Sequence, residues 1–408
     1  MPPNSKTIYL PYMADHAIAM AAAMRHYGLH AIVMDKSDAE SLAIGQSLCL
    51  GKECLPCFTC VGDIVKQTRK PDFDPERAVL FMPTTGGPCR FGQYNTLHRL
   101  LLDEMGLHAV EIMSPSAENS YQGFGEHATA LRLLIWRGVV GVDLLRKLCY
   151  AHRPYETVSG QTDALYHECL YALAAAIETG KRRRAVAAMR QAAAKFHALP
   201  TDRREPRPII GMVGEIYLRA NDFTNQEIVR HVEALGGEVW VAPLMEWFYF
   251  TNYGAKARAR VAGDYLGWLK TQAGDMIQRR IEHEMLKPVQ DLLRNAHEVT
   301  VDELMENDRP YYDPALGTEA ALSIGKAIDY ARQGLAGILH VLPLNCMPAT
   351  TVTGIAPKVR QDFDRIPWLD VIYDAQAITN INTRLEAFMY QARQYRQRQD
   401  AVAPHRAQ

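Results

Sequence analysis

Cysteine is the residue type in this chain with the clearest capacity for chemistry. Six of the eight cysteines fall at three places distant in sequence: an early stretch, a glycine- and proline-containing turn, and a position late in the chain. They are Cys49, Cys54, Cys57, Cys60, Cys89 and Cys346. Thiolates grouped in this way are suitable ligands for zinc or for iron–sulfur clusters. The sequence therefore predicts one metal centre assembled from separate parts of the chain.

The early stretch holds the densest group, a Cys-x2-Cys-x2-Cys run that starts at Cys54. Cys54 and Cys57 are three residues apart, so a helical turn places both on one face. If that turn begins the helix that continues through Asp63 and Ile64, its unpaired N–H groups and positive dipole end favour thiolates and an anionic cluster. We predict four ligands, namely Cys54, Cys57, Cys89 and Cys346.

The remaining cysteines have less defined roles. Cys49 and Cys60 are close enough to serve as ligands, and each also fits as a packed core residue. Cys149 and Cys169 have no cysteine neighbour on their predicted helices, so we expect both to pack in the core.

Simpler thiolate sites fit this pattern less well. A bacterial ferredoxin motif needs a further cysteine where Ile64 stands. Structural zinc normally uses two Cys-x2-Cys pairs, whereas Cys89 and Cys346 are solitary. A cysteine nucleophile needs one activated thiol and leaves the other thiols unexplained.

Two α/β lobes must position these residues. In residues 1–125, short apolar strands alternate with amphipathic helices, which predicts a parallel sheet covered by helices. The predicted strands are Thr7–Tyr12, Ala31–Met34 and Ala78–Met82, and the predicted helices are Asp15–Tyr27 and one starting near Ser37. Cys89 follows the third strand, beyond the carboxyl end of the sheet, where such folds bind ligands.

A helical insert separates the two lobes. From residue 126 to residue 205 the strand pattern disappears and Ala, Leu and Arg dominate. The prolines of Thr201–Pro208 predict a linker at its end.

The second lobe, residues 206–394, repeats the alternation of strands and helices. Its predicted strands are Ile209–Val213, Glu238–Ala242, Gly337–Leu342 and Leu369–Tyr373, and its predicted helices are Asn225–Leu235, Ala255–Ala296 and Thr318–Gln333. Cys346 again follows a strand, and Glu215 follows another, where it either faces the cleft or has a structural capping role. We therefore expect two Rossmann-like or flavodoxin-like lobes with a metal cluster in the cleft between them. Their common alternation of strands and helices raises the hypothesis that they are distant structural copies. Residues 395–408 are predicted to form a frayed tail.

Length, composition and net charge argue against some classes of function. With 408 residues and 48% hydrophobic content, the chain can form two or three domains. Its net charge of −1 argues against binding to nucleic acid or an anionic membrane surface. No apolar run spans a bilayer and no signal peptide is evident, so we expect a cytoplasmic location, where clustered cysteines more often bind metal than form disulfides.

Five motifs give the chain a resemblance to a known family. They are Gly51–Cys57, Gly87–Tyr94, Gly214–Tyr217, Cys346–Pro348 and Thr379–Phe388. In combination they resemble the cysteine-bearing portion of acyl-CoA dehydratase activase-like proteins, which are related to 2-hydroxyacyl-CoA dehydratase subunits and double-cubane cluster proteins. The resemblance extends from Tyr9 to Ala392.

The resemblance implies a [4Fe-4S] cluster held by Cys54 or Cys57, by Cys89 and by Cys346. Three thiolates suffice in the dehydratase subunits and leave one iron open to a substrate oxygen, whereas the extra thiols here allow closure by a fourth cysteine. The chain has no phosphate-binding loop of its own, so the resemblance implies a separate ATP-hydrolysing activase as electron donor.

The expected function is therefore that of an oxygen-sensitive iron–sulfur enzyme component of anaerobic, reductive chemistry. An acyl-CoA or another small molecule is the expected substrate, and a homodimer or heterodimer is the expected assembly. One alternative is a double-cubane [8Fe-9S] reductase of small molecules, because such a cluster uses six thiolates. Another is a non-enzymatic scaffold or electron relay with a closed four-thiolate site of iron–sulfur or zinc type.

Overall fold

Two parallel β-sheets form the framework of the computed structural model, which describes residues 6–86, 89–116, 127–376 and 380–406. Some sequence features lie outside these residues: Gly87 and Pro88 before Cys89, the expected boundary at residues 125 and 126, and Thr379 of the last motif. Among the described residues, no helix combines the length and apolar character that a membrane span requires.

The N-terminal lobe is built on the first sheet. Its strands are β1 (Thr7–Tyr12), β2 (His30–Lys36), β3 (Ala78–Phe81) and β4 (Glu111–Met113). They are parallel and lie in the order β2-β1-β3-β4. The helices of this lobe are α1 (His16–His26), α2 (Ala39–Leu48), α3 (Leu55–Thr68) and α4 (Tyr94–Glu104). The sequence predicts the first three strands but misses β4, because three residues are too few for a periodic pattern.

The helical insert packs on this lobe. It consists of α5 (Ala128–His152), α6 (Gln161–Glu178) and α7 (Arg182–Ala198). These helices share one hydrophobic core with α1. A Cβ atom placed on Gly138 of α5 would lie only 2.9 Å from the Cβ of Ala19, so the absence of a side chain there permits the close packing of α5 on α1. Residues 202–208 are neither helix nor strand, in agreement with the predicted linker.

The C-terminal lobe repeats the topology of the first. Its strands are β5 (Ile209–Gly214), β6 (Glu238–Val241), β7 (Gly337–Pro343) and β8 (Trp368–Tyr373). They are parallel, in the order β6-β5-β7-β8. Two short helices, α8 (Ile216–Ala220) and α9 (Ile228–Ala234), connect β5 to β6. All four strands occur where the sequence predicts them, and the shared strand order agrees with the idea that the lobes are structural copies.

A helical hairpin replaces the single long helix predicted over Ala255–Ala296. The helices of this region are α10 (Met245–Val261), α11 (Tyr265–Leu286) and α12 (Val301–Asp308). The prediction is wrong because the chain reverses at Gly263, whose φ of 69° suits glycine. The Asp264 carboxylate then accepts a hydrogen bond from the backbone N–H of Gly267 at 2.8 Å and caps the start of α11.

The last three helices cover the second sheet. They are α13 (Glu319–Arg332), α14 (Met347–Asp362) and α15 (Ile381–Arg406). The tail predicted to be frayed from residue 395 is instead helical as far as Arg406. Tyr395 supplies the physical reason, because its ring is 4% exposed and its hydroxyl donates a hydrogen bond to the Phe363 carbonyl at 3.1 Å.

Candidate metal centre

The two sheets share the same arrangement of their central strands. In each lobe the first strand lies beside the third, which creates the topological switch point where open α/β sheets bind ligands. Cys89 follows β3, Cys346 follows β7 and Glu215 follows β5. The fold therefore places these three residues beyond the carboxyl ends of the central strands, as the sequence predicts.

Three cysteines each precede the first turn of a helix. Cys54 is the N-cap of α3, Cys346 is the N-cap of α14, and Cys89 is the N-cap of a short 3₁₀ helix, Arg90–Gln93, that leads into α4. The unpaired N–H groups of a helix start attract negative charge. A thiolate or an anionic cluster at α3 or α14 would gain from this field.

The local sequence explains why two of these helices begin at cysteine. Cys54-Leu-Pro56 and Cys346-Met-Pro348 share the pattern Cys-x-Pro, and each proline lies in the first turn of its helix. Proline is well tolerated there because its missing N–H would have no partner within the helix. The preceding cysteine is in each case held in the extended conformation of an N-cap residue.

Cys54 interacts electrostatically with the other two N-cap thiols, one in each lobe. A negative charge on Cys54 raises the pKa of both Cys89 and Cys346, so Cys54 lies within electrostatic range of each. We call Cys54, Cys89 and Cys346 the thiol site. Cys54 and Cys89 come from the N-terminal lobe and Cys346 comes from the C-terminal lobe, so the thiol site spans the cleft between them.

Burial dominates the acid–base behaviour of the thiol site. It raises the pKa of Cys54 to about 11 and that of Cys89 to about 12, and it also raises the pKa of Cys346. Negative charge on nearby carboxylates raises these pKa values further. The thiols are therefore neutral at pH 7 in the metal-free chain, and metal binding must release their protons.

A second group of thiols lies deeper in the N-terminal lobe. Cys57 is 1% exposed and Cys60 is 0% exposed, and both pack in the core between α3 and the first sheet. A hydrogen bond with Cys49, followed by burial, raises the pKa of Cys57, and negative charge on Cys60 and Cys54 raises it further. Cys49, Cys57 and Cys60 thus form a second trio that adjoins the thiol site through Cys54.

The other two cysteines have no part in either group. Cys149 and Cys169 are 3% and 5% exposed and belong to the core formed by the helical insert and α1. Their predicted role as packed core residues is confirmed.

The donors of the thiol site are soft sulfur ligands, the type that binds zinc or iron–sulfur clusters. Across the described ranges, no three His, Cys, Asp or Glu side chains are arranged to hold one metal ion. A polynuclear cluster makes a different demand, because its thiolates bind separate iron atoms. Three part-buried thiols from two lobes, two of them at the N-termini of long helices, meet that demand in their chemistry.

One buried tyrosine contacts the thiol site directly. The Tyr94 hydroxyl is 2.7 Å from the Cys54 sulfur, and this hydrogen bond lowers the pKa of the thiol against the effect of burial. Tyr94 is the first residue of α4 and is 4% exposed. Hydrogen bonds to ligand sulfur adjust both the basicity of the ligand and the potential of a bound cluster.

Two carboxyl groups lie beside the thiol site. Negative charge on Glu215 raises the pKa of all three thiols, and its side chain also accepts a hydrogen bond from the Leu218 N–H at 2.9 Å. Glu215 therefore fills both roles that the sequence leaves open. Glu319 raises the pKa of two of the thiols. The sequence does not reveal this second carboxyl group, because Thr318-Glu319 indicates only the start of a helix.

Tyr217 connects the two lobes next to α3. Its hydroxyl lies 3.0 Å from Thr59 Oγ1 and 3.2 Å from Ser37 Oγ, and Ser37 in turn donates to the Asp63 carboxylate at 2.7 Å. Burial raises the pKa of Asp63 to about 6. The Gly-Glu-Ile-Tyr motif thus carries one residue that faces the thiols and one that fixes the helix bearing Cys54.

No protein-family model matches this chain, and no curated protein matches it. The family resemblance of the five motifs therefore stays a prediction. The geometry of the thiol site is the independent basis for assigning a function.

Proposed function

We propose that this chain is an iron–sulfur protein of the 2-hydroxyacyl-CoA dehydratase and activase-like family. It receives low-potential electrons from a separate ATP-hydrolysing activase and uses them for reductive chemistry in the cleft between its lobes. An acyl-CoA or another small molecule is the substrate. One observation carries the proposal: Cys54, Cys89 and Cys346, which come from both lobes, are all N-cap residues of helices, and Cys54 lies within electrostatic range of the other two.

The proposed ligands follow from this arrangement. Cys54, Cys89 and Cys346 would hold a [4Fe-4S] cluster, and Cys57, on the same helix as Cys54, is the candidate fourth ligand. When bound, such a cluster supplies low-potential electron transfer and, at an iron without a cysteine, a site for a substrate oxygen.

The surrounding residues have definable tasks. The N-termini of α3 and α14 stabilise negative charge on Cys54 and Cys346. The three thiols are partly buried, and Tyr94 holds the Cys54 sulfur by a hydrogen bond. Together these features keep the ligands in place and set the charge of their surroundings.

The direct test is anaerobic purification of the full chain with iron and acid-labile sulfide counts, followed by EPR spectroscopy after reduction. We expect about four iron and four sulfide per chain and a signal from a reduced cluster. Near-zero iron together with stoichiometric zinc would contradict the proposal.

A double-cubane reductase is the second candidate. The observation in its favour is the second trio, Cys49, Cys57 and Cys60, which interacts with the thiol site through Cys54. Together the two groups provide the six thiolates of such a cluster. An iron count of about eight per chain would favour this candidate. The variants Cys49→Ala and Cys60→Ala should then each lower that count.

A further inference from the structure

A pocket lies along the hairpin of α10 and α11, and no residue of the thiol site lines it. Its volume is about 370 Å³, which is within the size range of pockets that bind small molecules. The lining combines aromatic and apolar side chains with three cations: Tyr253, Trp268, Met276, Lys256, Arg260 and Arg279. We call it the hairpin pocket. This combination suits a ligand that has both an apolar part and a negative charge.

Two of the three cations already have negative neighbours. Lys256 donates a hydrogen bond to the Asp275 carboxylate at 2.7 Å. Arg279 lies within electrostatic range of Glu282 and Glu303. The charges of these two cations are therefore at least partly balanced by the protein itself.

Arg260 is the third cation, and its donors are available to a ligand. Among the residues that the structure describes, its guanidinium donates no hydrogen bond and forms no ion pair. The guanidinium lies over the Trp268 ring, 5.5 Å from the ring centroid. This contact orients the group without using its N–H donors, which match the oxygens of a carboxylate or phosphate. With Asp275 and Asp302 as its carboxylates, the described lining keeps a net positive charge.

The Trp268 indole supplies a second donor beside Arg260. Its Nε1 atom is buried and has no hydrogen-bond partner within the described ranges. An indole N–H can only donate, and a buried donor without an acceptor is costly. An oxyanion bound at Arg260 would provide that acceptor. Both side chains lie near the chain reversal at Gly263, so this part of the pocket is at the tip of the hairpin.

We propose that the hairpin pocket binds a small organic anion with an aromatic body. The carboxylate or phosphate group of the ligand accepts hydrogen bonds from the Arg260 guanidinium and the Trp268 indole N–H, and its apolar part lies against Tyr253 and Met276. Carboxylate and phosphate share this chemistry, so the experiment includes both. The pocket is separate from the proposed cluster, and binding there does not depend on iron.

NMR spectra of the indole N–H groups test this directly in the metal-free full chain, isotope-labelled at its five tryptophans. Trp268→Phe identifies the Trp268 signal by its loss. The probes are naphthyl phosphate, naphthoate and naphthol, which share one ring system and differ in the charged group. We expect at least one of the two anions to move the Trp268 signal downfield, because its N–H gains an acceptor, whereas neutral naphthol leaves the signal in place. The anion that binds more tightly identifies the class of oxyanion.

Arginine variants test the anchor. Arg260→Gln should weaken binding of the anion about tenfold, because it removes a charged donor. Arg258→Gln is the matched control, since Arg258 is an exposed arginine of the same helix that does not line the pocket, and it should bind as the parent does.

Three results would overturn the inference: a Trp268 signal that neither anion moves, a signal that naphthol moves equally, or the same affinity in Arg260→Gln and Arg258→Gln. If Trp268→Phe does not fold, the affinities of the two arginine variants still decide the question. Loss of the proposed cluster would leave each of these measurements unchanged.

Discussion

A buried thiol becomes a metal ligand only when it loses its proton. Burial raises the pKa of Cys54 to about 11 and that of Cys89 to about 12, so iron binding at pH 7 must displace protons from both. Tyr94 opposes this effect at Cys54, because its hydrogen bond to the sulfur lowers the thiol pKa. At the scale of single residues, Tyr94 is thus the side chain best placed to adjust the pKa of the Cys54 thiol.

The Tyr94→Phe variant tests that role. It keeps the ring in the core of the N-terminal lobe but removes the hydrogen bond to Cys54. We expect a more negative reduction potential in the iron-loaded protein and a loss of about 1 kcal/mol in the free energy of unfolding. Redox titration followed by EPR measures the first effect. Tyr9→Phe, in the same core, is the control, and an unchanged potential in Tyr94→Phe would count against the role of Tyr94.

Asp63 makes the free energy of unfolding depend on pH, through a buried carboxyl group on α3. Burial raises its pKa from 3.8 to about 6, so its protonated form stabilises the fold below the unfolded pKa, and this stabilisation is lost as pH rises towards the folded pKa. Asp63→Asn, which stays neutral, should gain about 3 kcal/mol in unfolding free energy relative to the parent between pH 3 and pH 7. Chemical denaturation at both pH values measures this difference. A constant difference would refute it, and Asp302→Asn on the exposed surface is the control for losing one charge.

At the scale of elements, the turn after β5 determines where Glu215 and Tyr217 lie. Gly214 has a φ of 124°, and a Cβ atom there would lie 2.0 Å from the carbonyl oxygen of Val341 in the neighbouring strand β7. Only glycine satisfies both conditions. The Gly-Glu-Ile-Tyr motif therefore begins with a residue whose task is close contact between two central strands.

Gly214→Ala should disrupt this turn. We expect a loss of more than about 3 kcal/mol in unfolding free energy, because the clash is with backbone and the conformation is strained. Gly334→Ala is a matched control: φ is 77° and no atom lies within 4 Å of the added Cβ, so about 1 kcal/mol is expected. Equal losses in the two variants, measured by denaturant titration, would argue against the close contact.

At the scale of the whole molecule, the thiol site depends on how the two lobes are held together. Leu55, next to Cys54, packs in the core of the C-terminal lobe, although it belongs to a helix of the N-terminal lobe. Asn221 donates from its side chain to the Tyr12 carbonyl across the same boundary at 3.3 Å. The position of Cys54 relative to Cys346 is thus fixed by packing between lobes as well as by each fold.

The sequence predicts much of this arrangement because strands and helix starts leave local patterns. Apolar runs locate seven of the eight strands, and Cys-x-Pro occurs at two helix N-termini. It misses the reversal at Gly263, although the signals there, a glycine followed by a capping aspartate, are local. It also misses the buried role of Tyr395, which depends on a contact distant in sequence. It misses Glu319 for the same reason: only the folded chain brings α13 beside the loop after β5.

The most direct test of the central claim is the iron content of variants that each replace one cysteine and are purified without oxygen. Cys54→Ala, Cys89→Ala and Cys346→Ala should each lose most of the iron and the EPR signal, because each removes one ligand from a site shared by both lobes. Cys149→Ala and Cys169→Ala, which change buried cysteines outside the thiol site, should retain both. Full iron content in Cys346→Ala, with iron lost only from variants of the N-terminal lobe, would contradict a cluster held between the lobes.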